Sequence, residues 1–530
     1  MNWAGKKILV LGLGESGLAM ARWGAYCGAS VCVVDTRDNP DRLQRLQAEL
    51  PQVGFRSGPF TTEGLTVFDI VAVSPGLRPD VELKEILPFA NEHGIPVWSE
   101  IEMFAQALKD LEREKQYRPK IIAVTGTNGK TTVTSLTGHM CRRAGKTVCL
   151  AGNISPAALD VLLEMVRKDQ LPDVWVLELS SFQLFATYRL EPDAATVLNL
   201  TQDHLDWHGS MAAYGAAKER IFGRKTVQVL NREDGAVMKM RKPGAPVLTF
   251  GTDEPVEPDA FGMHSDRGIV WLAVMSSVDD GIVRKNRKNP VPVETVIRDL
   301  MPADALKIRG RHNAGNALAA LALCRAIGLP FAPLLQALKD YRGEPHRVEL
   351  VATVNEVAYI DDSKGTNVGA TVAAVRGLGE NAGNEERKII LIAGGLGKDQ
   401  DFSPLSFVVG KYVKAVMLIG KDAVRIHDAL APTGVRQIYC DSLEEAVVRA
   451  SEVAKQNDMV LLSPACASMD MFRNYAHRSE VFVTQVRRLG GAAGGGRRHE
   501  PAIGKAFFRR HSGGRKGTDF HRQKCQDDAV

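Results

Sequence analysis

The chain has 530 residues, 24% of them charged, and a formal net charge of +5. That length suits about three domains, each large enough to bury its own core. No apolar run approaches the ~20 residues that span a bilayer. The excess charge sits at one end, because residues 490–530 hold nine Lys/Arg against four acids and leave the body balanced at 58 of each. The net charge therefore gives no reason to expect nucleic acid on the body of the protein. Eight cysteines are scattered without a C-x-x-C pair, which argues for a reduced, cytoplasmic chain and against a disulfide framework or a zinc site.

The first block, residues 1–98, opens with a strand over 8–11, then Gly12-Leu13-Gly14-Glu15-Ser16-Gly17, a helix over 18–28 and a strand over 31–34 that ends on Asp35. A G-x-G-x-x-G turn with an acid about twenty residues on is the dinucleotide fingerprint. Its physics is a tight turn and a helix N-terminus facing a pyrophosphate, so it suits any diphosphate-linked nucleotide. Taken alone it predicts a nicotinamide oxidoreductase. A strand over 71–73 runs into Ser74-Pro75-Gly76 on the edge where ligands bind in such sheets.

The second block, 99–343, carries a charged helix over 109–120. The apolar run Ile121-Ile122-Ala123-Val124 then empties into Gly126-Thr127-Asn128-Gly129-Lys130-Thr131-Thr132. Glycines that let N–H groups approach phosphate, a lysine ammonium and a threonine hydroxyl for Mg²⁺ make a phosphate cradle. Val124 stands where the first glycine of G-x-x-x-x-G-K-[ST] is expected. A strand over 174–177 ends in Glu178, where a Mg²⁺-binding carboxylate would sit beside such a loop. A strand over 195–200 leads to Asp203-His204-Leu205-Asp206-Trp207-His208. These side chains suit a hard Mg²⁺ better than zinc, since no Glu follows His204 and no cysteine is near. His208 reads as a bystander.

The third block, 344–489, alternates helices with strands over 389–393, 415–419 and 460–462. Such alternation predicts a parallel sheet in every block. The fold class is α/β, with Rossmann-like first and third sheets flanking a central, mostly parallel phosphate-loop sheet. The charged stretch 283–289 reads as an inserted surface loop, and the Gly/Arg-rich 490–530 as a disordered tail.

The combination of 126–132, Glu178-Leu179-Ser180-Ser181-Phe182-Gln183-Leu184, Asp203-His204, Arg311-His312-Asn313 with Asn316, His346-Arg347 and 361–367 resembles the Mur ligases of bacterial cell-wall synthesis. The resemblance covers about residues 5–489, and two of these stretches look like the D-glutamate-adding members. It implies an ATP-dependent amide ligase. The carboxylate of UDP-N-acetylmuramoyl-L-alanine would take the γ-phosphate, and the amine of D-glutamate would attack the acyl phosphate. The resemblance implies a catalytic set of Lys130, Glu178, His204, Lys218 and Lys364. ATP would be held by Gly126 to Thr132, Asn316, Arg347 and Asp362. One Mg²⁺ would sit on Thr131 and Glu178, and a second on His204 with a carbamylated Lys218. The UDP substrate would lie on Ser16, Asp35, Thr36, Arg37, Gly76 and Asn153. The acceptor would meet Thr366, Lys398 and Ser468, with Met469 and Tyr475 where leucine and phenylalanine are familiar. His346 adjoins this network, and a hinge near residue 343 and a monomer are expected. Alternatives are a folylpolyglutamate synthetase-like ligase and the nicotinamide enzyme.

Overall fold

The computed structural model describes residues 3–277, 295–308, 310–381 and 388–492. The expected surface loop at 283–289 and residues 493–530 of the expected tail lie outside them. Residues 490–492 do not begin a tail: they continue the helix Tyr475–Ala492, because Val486 and Leu489 on it pack into the third domain's core.

The first sheet is formed by β1 (Lys7–Leu11), β2 (Ser30–Asp35), β3 (Gly54–Ser57), β4 (Ile70–Val73) and β5 (Val97–Trp98), all parallel, in the order β3-β2-β1-β4-β5. The strand order reverses between β1 and β4, which opens a crevice at their C-terminal ends.

The second sheet has nine strands: β6 (Lys120–Thr125), β7 (Val148–Gly152), β8 (Val174–Glu178), β9 (Ala194–Val197), β10 (Val227–Asn231), β11 (Val247–Phe250), β12 (Ala260–Asp266), β13 (Ile269–Ser277) and β14 (Thr295–Pro302). In its order β14-β13-β12-β11-β10-β9-β6-β8-β7, the phosphate-loop strand β6 lies between β8 and β9. The pairs β12–β13 and β13–β14 are antiparallel, so the expectation of a parallel sheet in every block fails at this edge. The reason is local: a two-residue turn, Arg267 and Gly268, joins β12 to β13, and so short a connection permits only a hairpin.

The third sheet runs β15-β16-β20-β17-β18-β19, with β15 (Glu349–Val354), β16 (Val357–Asp361), β17 (Ile389–Gly394), β18 (Val413–Ile419), β19 (Arg436–Tyr439) and β20 (Met459–Leu462). It is parallel apart from the β15–β16 hairpin.

The expected charged helix at 109–120 is met only to Lys115, as the end of a longer helix, Glu100–Lys115, capped by the Ser99 hydroxyl, and Lys120 already belongs to β6. Its buried Ile101, Phe104, Leu108 and Leu111 share a helical face. That face joins Trp23 and Trp175 in one core running continuously from the first sheet into the second. The two faces of the third sheet have cores of their own. The first two domains are thus welded by apolar packing, whereas the third meets the second through polar side chains at the site below. Among the described residues no helix is long and apolar enough to cross a membrane.

Candidate functional site

Strand β6 runs through Thr125, so Val124 is not a defective loop glycine. It pairs with Glu178 inside the sheet, and the loop proper starts at Gly126. Gly126 has φ +149°, and a Cβ there would lie 2.9 Å from the Leu198 Cβ, so only glycine fits. Asn199, just past β9, holds the loop in shape: its side-chain oxygen accepts from Asn128 N at 2.8 Å and its backbone oxygen accepts from Thr127 N. The helix Lys130–Arg143 follows, its N-terminus facing the loop. Such a turn presents N–H groups and a positive dipole end to an anion.

Two ammonium groups converge there. Lys130 Nζ donates to Gly126 O at 2.9 Å and Thr127 O at 2.8 Å, and Lys218 Nζ donates to the same Gly126 O at 2.9 Å. Lys218, on the helix Met211–Glu219, is buried and lies 4.5 Å from the centre of the Tyr214 ring. Burial above all, then the charge of Lys130, pulls its pKa well below the usual lysine range, against weaker support from Asp203 and Glu178. An amine in that state is a neutral nucleophile.

Glu178 ends β8. Its Oε1 accepts from Asn153 Nδ2 at 3.1 Å, whereas Oε2 is buried with no hydrogen-bond partner. Such an orphaned oxygen is costly, and a cation satisfies it. Thr131 Oγ1, at the helix start, accepts from Arg347 Nη2 at 2.9 Å and from Lys364 Nζ at 3.3 Å. His204 packs edge-on against Phe182, with Nε2 3.5 Å from Asp203 Oδ2. Burial pushes its pKa down, with Asp203 opposing and Lys398, Lys130 and Lys218 adding to the fall, so it is a neutral imidazole able to ligate a metal. His208 stacks on Phe182 and bonds the Ser181 hydroxyl, with its pKa pushed down to about 4 by burial. It is a packed residue, in keeping with a bystander. The donor set of one hydroxyl, one unsatisfied carboxylate and one neutral imidazole fits a hard divalent cation.

Beside the loop lies a cavity of about 210 Å³ whose lining includes Gly129, Asn316, Thr252, His312, Arg347 and Asp362. The helix Arg311–Ala326 brings Asn316 to it, bonded to Asn313 at 3.1 Å. Asp362, just past β16, accepts from Ser463 Oγ at 2.7 Å. A contact not foreseen from sequence bridges the domains. Asn367 Nδ2 donates to Asn128 Oδ1 at 3.0 Å and to Asp203 Oδ2 at 3.3 Å. Its only sequence signal is its place at the end of the 361–367 stretch.

The expected acceptor residues are less concentrated. Lys398, with φ +50°, sits on the loop after β17, which a bridge between Leu396 and Ala467 draws toward buried Ser468. Thr366 N donates to Lys364 O. Met469 is 67% exposed and turns its side chain to solvent. Tyr475 instead packs under Lys364 Nζ, 5.4 Å from the ring centre, and against His346.

A second cavity, about 350 Å³, opens at the reversal point of the first sheet, lined by Gly14, Ser16, Asp35, Thr36, Arg37 and Gly76 among others. Gly17 allows the helix to pack there, since a Cβ would fall 1.9 Å from Gly12 O. Asp35 is already committed. It accepts from Leu13 N at 2.6 Å and from the Arg37 guanidinium at 2.8 and 2.9 Å. Burial raises its pKa, but Arg37 and the two backbone N–H groups outweigh that and lower it to about 2. Of the six residues expected on the UDP substrate, five line this cavity. Asn153 does not: it lies one residue past β7 and holds Glu178.

Three family models match the chain: "Mur ligase MurD-like, N-terminal domain" over residues 6–99, "Mur ligase middle domain" over 124–324 and "Mur ligase, glutamate ligase domain" over 346–466. The chain is 56% identical over 491 residues to the UDP-N-acetylmuramoylalanine–D-glutamate ligase of Ralstonia nicotianae, covering 91% of this chain and 97% of that one. A ligase of the same name from Cupriavidus pinatubonensis is 56% identical over 494 residues, with the same coverage. Among solved structures, MurF from Acinetobacter baumannii superposes with a TM-score of 0.55 at 14% identity, covering 91% of each chain. The UDP-N-acetylmuramate-alanine ligase MurC of Thermotoga maritima gives 0.51 at 21% identity, covering 91% of this chain and 99% of that one. FolC from E. coli gives 0.50 at 18% identity, covering 73% and 93%. These structural likenesses speak for the fold alone. The relatives above half identity span nearly the whole protein and the three family models follow one another along it, so the chain belongs to the Mur ligase family.

Proposed function

We propose that the chain joins D-glutamate to UDP-N-acetylmuramoyl-L-alanine at the expense of ATP, giving ADP and phosphate, as a step of peptidoglycan synthesis. The observation that carries this reading is the crossing of Arg347 and Lys364 from the third domain onto Thr131 of the phosphate loop, beside the unsatisfied oxygen of Glu178. A carboxylate and a γ-phosphate repel one another, and bringing them together needs cations from both sides. Lys130 and the loop N–H groups meet the phosphates from below, and Arg347 and Lys364 close over them, the planar guanidinium matching phosphate oxygens. Asn316 and Asp362 line the cavity that would take the nucleoside.

Thr131, Glu178, His204 and a carbamylated Lys218 fit two Mg²⁺ ions, which when bound supply the positive charge that lets the two anions approach. Lys218 is suited to carbamylation because it is buried where burial and Lys130 both disfavour its charged form. The five residues around Gly14 would hold the uridine diphosphate. Asn153 acts on the substrate's reacting end through Glu178. Thr366, Lys398 and Ser468 would receive D-glutamate, and Lys364 stays with the phosphates. Closure of the third domain about residues 341–348 would exclude water from the acyl phosphate. The enzyme works as a monomer, and in the cytoplasm, where the free thiols at all seven described cysteines are at home. A folylpolyglutamate ligase is matched in fold alone, and a nicotinamide enzyme has no need of a phosphate loop with the strand-end Glu178 beside it.

The test is phosphate release from Mg-ATP with UDP-N-acetylmuramoyl-L-alanine. Release that requires D-glutamate and fails with L-glutamate supports the reading. Release with a different amino acid relocates the error to the acceptor residues, and no release from folded protein overturns it.

A further inference from the structure

The segment that joins the second and third domains is held by three side chains that the ligase chemistry above does not use. His346 and Val348 both have positive φ, +65° and +49°, a backbone that persists only where surrounding contacts impose it. His346 Nδ1 lies 3.0 Å from Asp361 Oδ2 and 2.7 Å from Ser479 Oγ, and Ser479 Oγ lies 2.6 Å from the same carboxylate oxygen. One proton assignment satisfies all three. The Ser479 hydroxyl donates to Asp361, and Nδ1–H donates into the space between the carboxylate and the serine oxygen, so that Nε2 is the nitrogen that gains or loses the titrating proton.

Asp361 is buried, and its other oxygen accepts from Ser363 N and from the Ser363 hydroxyl. Arg478, beside Ser479 and fully buried, donates to Ser363 O at 2.9 Å and Cys466 O at 3.2 Å. The helix Tyr475–Ala492 is thereby fixed to the end of β16. Each member of the cluster adjoins the site. His346 precedes Arg347, and Asp361 opens the run to Lys364, whose backbone N–H donates to His346 O. Arg347 and Lys364 are the two residues that reach Thr131.

We propose that His346, Asp361 and Ser479 form a latch that positions Arg347 and Lys364 over the phosphate loop, and that it holds most firmly while His346 carries its second proton. The proposal rests on the reading of this site as one that binds ATP. The groups facing His346 are Asp361 on β16, Glu349 on β15, Lys364 on the loop after β16 and the Tyr475 ring on the helix. The hydrogen bond to Asp361 favours the charged imidazole most, burial opposes it, Asp361 and Glu349 add attraction and Lys364 subtracts, leaving the pKa raised. As pH rises through that pKa, Nδ1–H still donates but the ionic part of the latch is lost.

The experiment is calorimetric binding of a non-hydrolysable Mg-ATP analogue to the full-length protein from pH 6 to 9, for the unsubstituted chain, D361N, H346Q and the milder S479A. Thermal melts verify that each is folded. The unsubstituted protein should lose affinity toward the basic end. D361N and H346Q should bind about 10-fold more weakly at pH 6.5 and approach the unsubstituted protein at pH 9, so that the ratio of affinities shrinks with pH whatever the lysines of the site contribute in common, and S479A should show that change displaced toward acid. Affinity for the UDP-sugar substrate should stay within 2-fold throughout, which a merely structural loss would not spare. An affinity ratio between the unsubstituted protein and both D361N and H346Q that stays constant from pH 6 to 9 would overturn the latch alone. No nucleotide binding by the unsubstituted protein at any pH would overturn the ATP reading and the latch with it.

Discussion

Asp362 is a group kept where it costs stability, and replacing it with asparagine should make the protein more stable and less active. Burial drives its carboxyl upward and neighbouring Asp361 adds to this, while Ser463, Arg347 and the Val348 N–H pull back, leaving a pKa of about 7. An unfolded aspartate titrates near 3.9. Below pH 4 both states are neutral and Asp362 costs nothing. Between there and pH 7 the unfolded chain releases its proton while the folded one keeps it, so stability falls as pH rises, and the loss levels off above pH 7. A gap of about three units at 1.36 kcal/mol each sets a ceiling of about 4 kcal/mol, and relaxation around the site brings the expected value to roughly 2 kcal/mol. The asparagine oxygen can still accept from Ser463, so D362N removes the ionisation and keeps the contact. Because the cores of the third domain are separate from those of the other two, it can melt as its own transition. At ~3 °C per kcal/mol for a domain of this size, that transition should rise by about 6 °C at pH 8 and barely move at pH 4.5. Scanning calorimetry at the two pH values checks this, with ATP affinity measured alongside and expected to fall. A stabilisation equal at both pH values, or a destabilised variant at pH 8, would refute the reasoning.

Glu178→Gln keeps the Asn153 contact and removes the charge behind the unpartnered oxygen, so melting should be nearly unchanged while kcat falls by about 10²–10³, as measured by phosphate release. Lys218→Met replaces a buried amine with an apolar side chain of similar length. Stability by urea unfolding should hold or rise by about 1 kcal/mol, activity should vanish, and a carbamate resonance after ¹³C-bicarbonate labelling should appear only in the unsubstituted protein. Gly126→Ala forces both a disfavoured φ and a contact with Leu198, and should cost about 2 kcal/mol or more in urea unfolding together with most of the nucleotide affinity. Lys130 and Lys364 both have pKa values below the usual lysine range, so a bound polyphosphate should raise them, and toward basic pH the linked change at these two groups is proton uptake. Calorimetry in buffers of different ionisation enthalpy reads the sign, and net release would count against it.

The parts of the site legible in the sequence are those whose chemistry is local. Gly126 to Thr132 declare a phosphate loop because strand, turn and helix start are contiguous, and Glu178 is legible because a strand end fixes where a carboxylate points. Val124 misleads as a motif position because β6 carries one residue further than the pattern allows for. What joins the domains is not local: Asn367 meets Asn128 across 239 residues and Asp203 across 164, separations at which no periodicity survives. The first turns of Glu100–Lys115 escaped for a different reason. Carboxylates ordinarily stay in water, yet Glu100 and Glu102 are both buried, Glu102 accepting from Tyr188 N and Arg189 N and Glu100 from Leu159 N. Asn153 was expected on the UDP substrate and Tyr475 at the acceptor, whereas Asn153 holds Glu178 and Tyr475 packs under Lys364. Their partners, Glu178 and Lys364, are set by strand and helix packing that the sequence does not declare.

The electrostatics of the site explain why these distant pieces belong together. Lys130, Lys218 and Lys364 are each pulled down first by burial and then by another cation: Lys130 and Lys364 by Arg347, Lys218 by Lys130. Glu178 and Asp203 offset only part of this. Cations that depress one another are under strain in the protein alone, and a ligand carrying several negative charges relieves Lys130, Lys364 and Arg347 at once, whereas Lys218 is relieved by giving up its proton. A nicotinamide dinucleotide would place its diphosphate in the first domain and leave this cluster unused. A triphosphate in the loop, with a carboxylate substrate approaching its γ end, uses every member of it. The same strain explains why Arg347 and Lys364 sit on a separately folded domain. Carried on an arm, these cations can be brought against the anion that stabilises them, and in the latch that holds the arm the buried Asp361 carboxylate offsets the charge of protonated His346.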